Sequence, residues 1–417
     1  MAGWRPNLLA IMTLLASLAG GAQEQTQPDL DELILSRDRY SQSGDLPAAQ
    51  AAALEVVSRV EAESGAKAQQ LYEPLLALAR IHRDMGNDGE AEIAFRRVID
   101  IARARQGKRS PDLIVPYQEL ARTFMDAERF DDALTTLEQA RSISRRNFGL
   151  FNMGQTQLFD DLTRAHLGLN ETAKAQQIQE EKVTLAVRNY GAKDARLAPY
   201  REGLADYYQR SRLKVAAREE HRKALHIYAQ LTPPDLAGEL RTLKNILRLN
   251  FILLGDEDEY LRIAELLNDP RISNLERAET LALLGDFYAV RVKDQSQAQR
   301  YWADAYRLAD TLAPEEADEL AFNKPHILDF VAPLNAVDQR TSRRKRFAWG
   351  KLDAVFGVNA DGQAVDVQIE MDPPVPRLAQ RYQERLAATH YRPRIVDGVP
   401  VATARVRLTH AYRYFVD

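Results

Sequence analysis

LARIHRDMGNDGEAEIAFRRV, from Leu78 to Val98, and LARTFMDAERFDDALTTLEQA, from Leu120 to Ala140, are one pattern written twice, forty-two places apart. Each carries a central alanine, Ala91 or Ala133, and the same step reaches Ala49, Ala175 and Ala217. Glu259 takes the next place, and Ala298 follows three places early. Thirteen places before the marker stands an apolar side chain in six of the seven units: Leu78, Leu120, Leu162, Leu204, Ile246 and, with one inserted residue, Leu284. Nine before it come Tyr40, His82, Phe124, His166, Tyr208, Asn250 and, with the same insertion, Tyr288. Offsets of three, four and seven are neighbours on one helical face. Each unit therefore reads as helix A, a turn rich in Gly, Asp and Asn, and helix B beginning near the alanine. A small side chain belongs where two helices approach closely, because a large one would force the axes apart. A fixed period of this length marks an array of stacked supersecondary units, and such arrays are binding surfaces far more often than catalysts.

The pattern resembles the tetratricopeptide repeat on Ala79-His82-Ala91-Phe95 and Ala121-Phe124-Ala133-Leu137. The usual unit has about 34 residues, and the longer step here is more like the repeats of kinesin light chain. The resemblance covers residues 28–312. It implies a mainly α fold, a right-handed α-solenoid of about seven helical hairpins, whose helices A line an inner groove that takes a protein or peptide.

With 45% hydrophobic and 28% charged residues the composition is that of a globular or solenoid protein. A formal charge of −4 gives no electrostatic case for nucleic acid. The 417 residues include no cysteine, which excludes disulfides, thiolate metal sites and Cys nucleophiles. Residues 1–22 read as a secretory signal: Arg5, an apolar stretch from Leu8 to Ala19, and Gly20-Gly21-Ala22 before Gln23. The expected location is periplasmic, the alternative being an uncleaved inner-membrane anchor facing the periplasm. No H-E-x-x-H, Gly-x-Ser-x-Gly or phosphate-cradling loop is present, so no enzyme, metal or cofactor is expected.

Residues 313–347, with Pro314, Pro325, Pro333 and the basic run Arg343-Arg344-Lys345-Arg346, read as a linker. Beyond it the period changes from helical to twofold. Residues 351–359 and 364–371 alternate as two strands about the Asp361-Gly362 turn. A helix is expected over 376–389 and one long strand from Val399 to Phe415, giving a small α+β domain of order β-β-α-β over 348–417. This tail resembles the C-terminal domain of TonB-type proteins in its hairpin, helix, Tyr391-x-Pro393 element and Gly398-x-Pro400-Val401, with Thr389 where that family commonly has Trp. The resemblance implies a second protein contact, by strand addition at a sheet edge.

The candidate groove residues follow from the repeat. Arg80, Arg122, Arg164 and Arg248 stand eleven places before their markers, and Gln118, Asp160, Glu202 and Gln209 lie nearby. Arginine forks suit carboxylates and acidic peptides. The competing reading pairs Arg80 with Asp84 and Arg122 with Asp126 along one helix. The sequence as a whole predicts a non-enzymatic periplasmic scaffold or adaptor for protein or peptide partners, envelope or outer-membrane proteins among them. Its alternative is a part in TonB-like energy-coupled transport, with membrane contact only through an uncleaved N-terminus.

Overall fold

The computed structural model describes residues 29–251, 253, 257–329 and 346–416. The signal-like segment 1–22, Pro333 and Arg343-Arg344-Lys345 lie outside them. The chain divides into two compact units, Met1–Leu185 and Ala186–Asp417.

The first unit is a run of antiparallel helices: α1 (Leu30–Ser43), α2 (Leu46–Ser64), α3 (Tyr72–Asp84), α4 (Asp88–Gln106), α5 (Ile114–Asp126), α6 (Phe130–Phe148), α7 (Thr156–Gly168) and α8 (Thr172–Tyr190), whose last five residues belong to the second unit. From α3 onward the A helices have 13 residues and the B helices 19. The marker alanines Ala49, Ala91, Ala133 and Ala175 are wholly buried. Phe95 and Leu137, one turn further along helix B, are equally buried. A single continuous apolar core runs from Leu33 to Leu185.

Helix ends obey the same period. Gly65, Gly107 and Gly149 terminate the B helices with φ of 82–87° and ψ of 156–176°. That is backbone open essentially to glycine alone. One 3₁₀ turn follows each, at Gln69–Leu71, Pro111–Leu113 and Met153–Gln155, and drops Leu71, Leu113 and Gln155 into the core with no exposed surface.

The second unit continues with α9 (Ala198–Arg210), α10 (Lys214–Tyr228), α11 (Leu236–Asn250), α12 (Glu257–Leu267), α13 (Asn274–Phe287) and α14 (Gln295–Ala309). Ala217 and Ala298 are wholly buried. The residue inserted in the seventh repeat is housed in a π-helical turn, Tyr288–Val292, which holds one residue more than an α-turn. In the sixth repeat Glu259 occupies the alanine place and is 8% exposed. Its two oxygens accept from Arg222 Nε at 2.8 Å and Asn250 Nδ2 at 3.0 Å. Asn250 stands in the ring slot of that repeat, so two polar replacements satisfy each other at the helix contact.

The chain then forms α15 (Pro314–Glu319), β1 (His326–Ile327), β2 (Arg346–Val358), β3 (Ala364–Asp372), α16 (Pro376–Ala387), β4 (Tyr391–Arg392), β5 (Arg394–Val396), β6 (Val399–Val401) and β7 (Thr403–Val416). The main sheet is antiparallel in the order β3-β2-β7. Leu352, Ala354, Phe356 and Val358 of β2 are at most 1% exposed and share a core with Leu378, Tyr382 and Leu386 of α16. The long last strand expected from Val399 is two elements. Asp397-Gly398 folds β6 back on β5 as a hairpin, and the long strand starts at Thr403. The first strand starts at Arg346, ahead of the expected Lys351, because the far end of β7 extends to meet it. Part of the segment read as a linker is ordered: β1 pairs antiparallel with β4.

Within this unit the last repeat and the sheet domain are packed together. Asp286 of α13 is fully buried, accepts from Trp302 Nε1 at 2.9 Å, and lies 3.6 Å from Arg392 Nε of β4. Burial pushes its carboxyl up. The Arg392 guanidinium lies 5.0 Å from the Phe322 ring centroid, and Ile395 N donates to Phe322 O at 2.9 Å.

Restoring the repeat's alanine at position 259 should weaken the protein. Glu259→Ala leaves Asn250 and Arg222 short of a buried acceptor, an expected loss of about 1–3 kcal/mol. Urea unfolding of the variant measures it; unchanged or increased stability would show that the polar pair contributes nothing.

Candidate protein-binding surfaces

In the first unit the arginine stripe becomes a ladder of ion pairs. Arg80 Nε donates to Glu119 Oε1 at 3.0 Å, and Arg83 bonds the other oxygen of the same carboxylate. Arg122 grips Asp161 with Nε and Nη2 at 3.2 and 2.9 Å, and its Nη1 lies 3.6 Å from Glu119. Arg164 Nη2 reaches Asp161 Oδ1 at 3.1 Å. Each acid stands thirty-nine places after one arginine and three before the next. The period thus places every carboxylate between a guanidinium on the preceding helix A and one on its own. The intrahelical pairs Arg80–Asp84 and Arg122–Asp126 are replaced by these interhelical ones, because a buried acid one helix away offers a drier partner than an exposed one on the same helix.

Glu119 and Asp161 keep only 8% and 2% of their side-chain surface. Burial alone would push the Glu119 carboxyl up. The Arg83 hydrogen bond, with the charges of Arg83, Arg80 and Arg122, outweighs it and holds the group below its ordinary range. For Arg122, burial opposes the charge and Asp161's bond and charge win, raising its affinity for the proton. Sequence reasoning named Gln118 and Asp160, each one residue before the acids that matter. The near-constant offset from arginine to acid was the signal that could have found them. Gln118 is half-buried; Asp160 holds Lys182 at 2.6 Å and Gln179 at 3.2 Å. What stays open to a partner is the two ends of the ladder, Arg80 and Arg164, with 43% and 53% of their side-chain surface exposed.

The remaining candidates lie in the second unit. Glu202 accepts from Thr242 Oγ1 at 2.7 Å and from Arg241 and the Tyr228 hydroxyl, each at 3.1 Å. Arg248 is exposed and donates to Asn245 Oδ1 at 2.9 Å; Gln209 is exposed. Of the histidines, His82 and His221 are buried, and burial lowers both pKa values. No cluster of three metal-ligating side chains occurs among the described residues.

A second surface was invisible in the sequence. A cleft of about 630 Å³ is lined by six successive residues of β7, Thr403–Leu408, facing Asn323–Pro325, Ile327, Tyr391 and Arg394. Successive strand residues point to opposite faces of a sheet, so a cavity touching all of them runs along the strand's edge. β7 pairs only with β2 among the described strands, and no described residue bonds the backbone of its other edge.

Residues 75–112 match the family model of the tetratricopeptide repeat. No curated protein matches the chain at a significant level. Among solved structures, nearly identical kinesin light chain TPR-like repeats from Podosopora anserina are 19% identical, covering 49% of this chain and 98% of theirs at a TM-score of 0.42. BtubC from P. vanneervenii is 19% identical over 68% of this chain and 92% of its own, at 0.38. The C-terminal part of a TPR repeat-containing protein from Cytophaga hutchinsonii is 13% identical over 68% and 97%, at 0.42.

Because Glu119 has a lower pKa folded than unfolded, its contribution is complete above its ordinary 4.5 and is lost as the pH falls through the folded value. Glu119→Gln should lower unfolding stability by roughly 2 kcal/mol at pH 7. The gap to the parent protein should shrink steadily below pH 4.5, as guanidinium chloride melts at several pH values would show. A gap independent of pH would remove the carboxylate from the account.

Proposed function

We propose that this protein is a non-enzymatic scaffold or adaptor that binds protein or peptide partners in the bacterial periplasm. The repeat fold supports the general role, since stacked hairpins expose long surfaces and need no catalytic centre. The observation that carries the specific reading is the free β7 edge bordering its own cleft. An extended segment laid there would gain main-chain hydrogen bonds from β7 and side-chain contacts from the walls. The sheet order β3-β2-β7 with one crossing helix supports the resemblance of this part to the TonB C-terminal domain. Export is supported by the N-terminal sequence alone: one basic residue, a short apolar stretch and small residues before Gln23.

Two measurements test this. A photo-reactive residue at Ala402, on the cleft wall, should trap one discrete envelope protein in living cells, and one at exposed Gln380 on α16 should not. Indistinguishable adducts from both positions would sink the strand-edge reading. A C-terminal alkaline phosphatase fusion, active only after export, should be active; a silent fusion would sink the periplasmic one.

A further inference from the structure

The cleft beside β7 is electrically one-sided. Its lining includes Lys324, Arg394, Arg405 and Arg407 and not one carboxylate. Arg394, Arg405 and Arg407 are exposed, as is Lys324. Arg405 and Arg407 point away from the core, whereas a bulge after Thr403 turns Thr403 to the core side with Val406 and Leu408. On the side of the sheet that Arg405 and Arg407 face, Asp353 is held by Lys351 at 2.7 Å and by Thr409, with Arg407 close enough for its charge to be felt. The other face of β7 is apolar: Val406 and Leu408 rest on the domain core. Thr403 Oγ1, beside the cleft, is buried without a hydrogen-bond partner among the described residues.

We propose that the segment added at the β7 edge is an acidic, amphipathic strand, with carboxylates on alternate residues and apolar side chains between them. The inference rests on the strand-edge reading above and adds the partner's chemistry to it. A strand in register outside β7 places every second side chain about 5 Å from Arg405 or Arg407, within ion-pair reach. The intervening side chains fall on the side of Val406 and Leu408. Lys324 and Arg394 approach from the far wall, so each carboxylate meets a cation whichever way the strand runs. A basic strand would put like charges opposite each other, which is repulsive.

Eight-residue peptides alternating valine with glutamate, glutamine or lysine distinguish the two levels of the claim, read by fluorescence anisotropy with the full chain. The glutamate peptide should bind about tenfold more tightly than the glutamine one, lose affinity with added salt, and outcompete the lysine peptide entirely. The exposed double change Arg405→Glu with Arg407→Glu should invert the order in favour of lysine. Equal, salt-independent binding of glutamate and glutamine peptides would overturn the acidic preference while leaving strand addition standing. Failure of all three peptides at millimolar concentration would overturn both.

Discussion

The close contact between helix A and helix B at a wholly buried alanine is the constraint on which the rest depends. With Ala91 or Ala133 in that place the helix axes approach closely enough for Phe95 or Leu137, one turn on, to fill the adjacent space. A hairpin of that kind cannot cover its own apolar side, so it requires a neighbour, and the neighbour must present the same spacing. Gly65, Gly107 and Gly149 and the buried Leu71, Leu113 and Gln155 serve this requirement. They return the chain from helix B to the next helix A over an identical path.

Once helices A stack in fixed register, the placement of charge follows. Arg80 meets Glu119, and Arg122 meets Asp161, because successive A helices lie side by side at the same height. A buried carboxylate is tolerable only when it is paired and hydrogen-bonded. Glu119 meets both conditions with three guanidiniums within 3.6 Å, and Asp161 with two. The ladder therefore acts first as part of the packing between hairpins. Its exposed ends, Arg80 and Arg164, are the portion available to a partner.

Much of this was legible from one sequence, because a repeat supplies its own comparison. The buried alanines, the ring slot and the hairpin strands around Asp361-Gly362 all rest on local periodicity. The partners of Arg80 and Arg122 were not legible by the same route, since a side chain's ally on the next helix depends on register across the stack and not on spacing within one turn. The split of the expected final strand at Ala402 was missed for a related reason. Val399–Val401 alternates as well as its continuation does, and only pairing with Arg394–Val396 distinguishes the two. The β7 cleft needed the fold outright: Lys324 lies far from Arg394 and Arg405 along the chain, and the three carry no shared motif.

The second unit shows where strict repetition gives way to specific chemistry. At the sixth marker the alanine is lost, but Asn250 and Glu259 change together, so the contact survives as hydrogen bonds in place of methyl packing. At the seventh, Gly285 stands directly after Leu284, and a Cβ there would come within 2.4 Å of the Trp302 ring. The glycine admits the indole, and the indole nitrogen then bonds Asp286 at the place where Arg392 arrives. Asp286 stands in the ladder's arginine slot, and Arg392 of the sheet domain lies opposite it, so the pair keeps the ladder's place with its charges exchanged. The last hairpin is capped by a charged group aimed inward, next in sequence to Tyr391, which lines the cleft beside β7. Small local departures from the period at the end of the array are what attach the sheet domain to it.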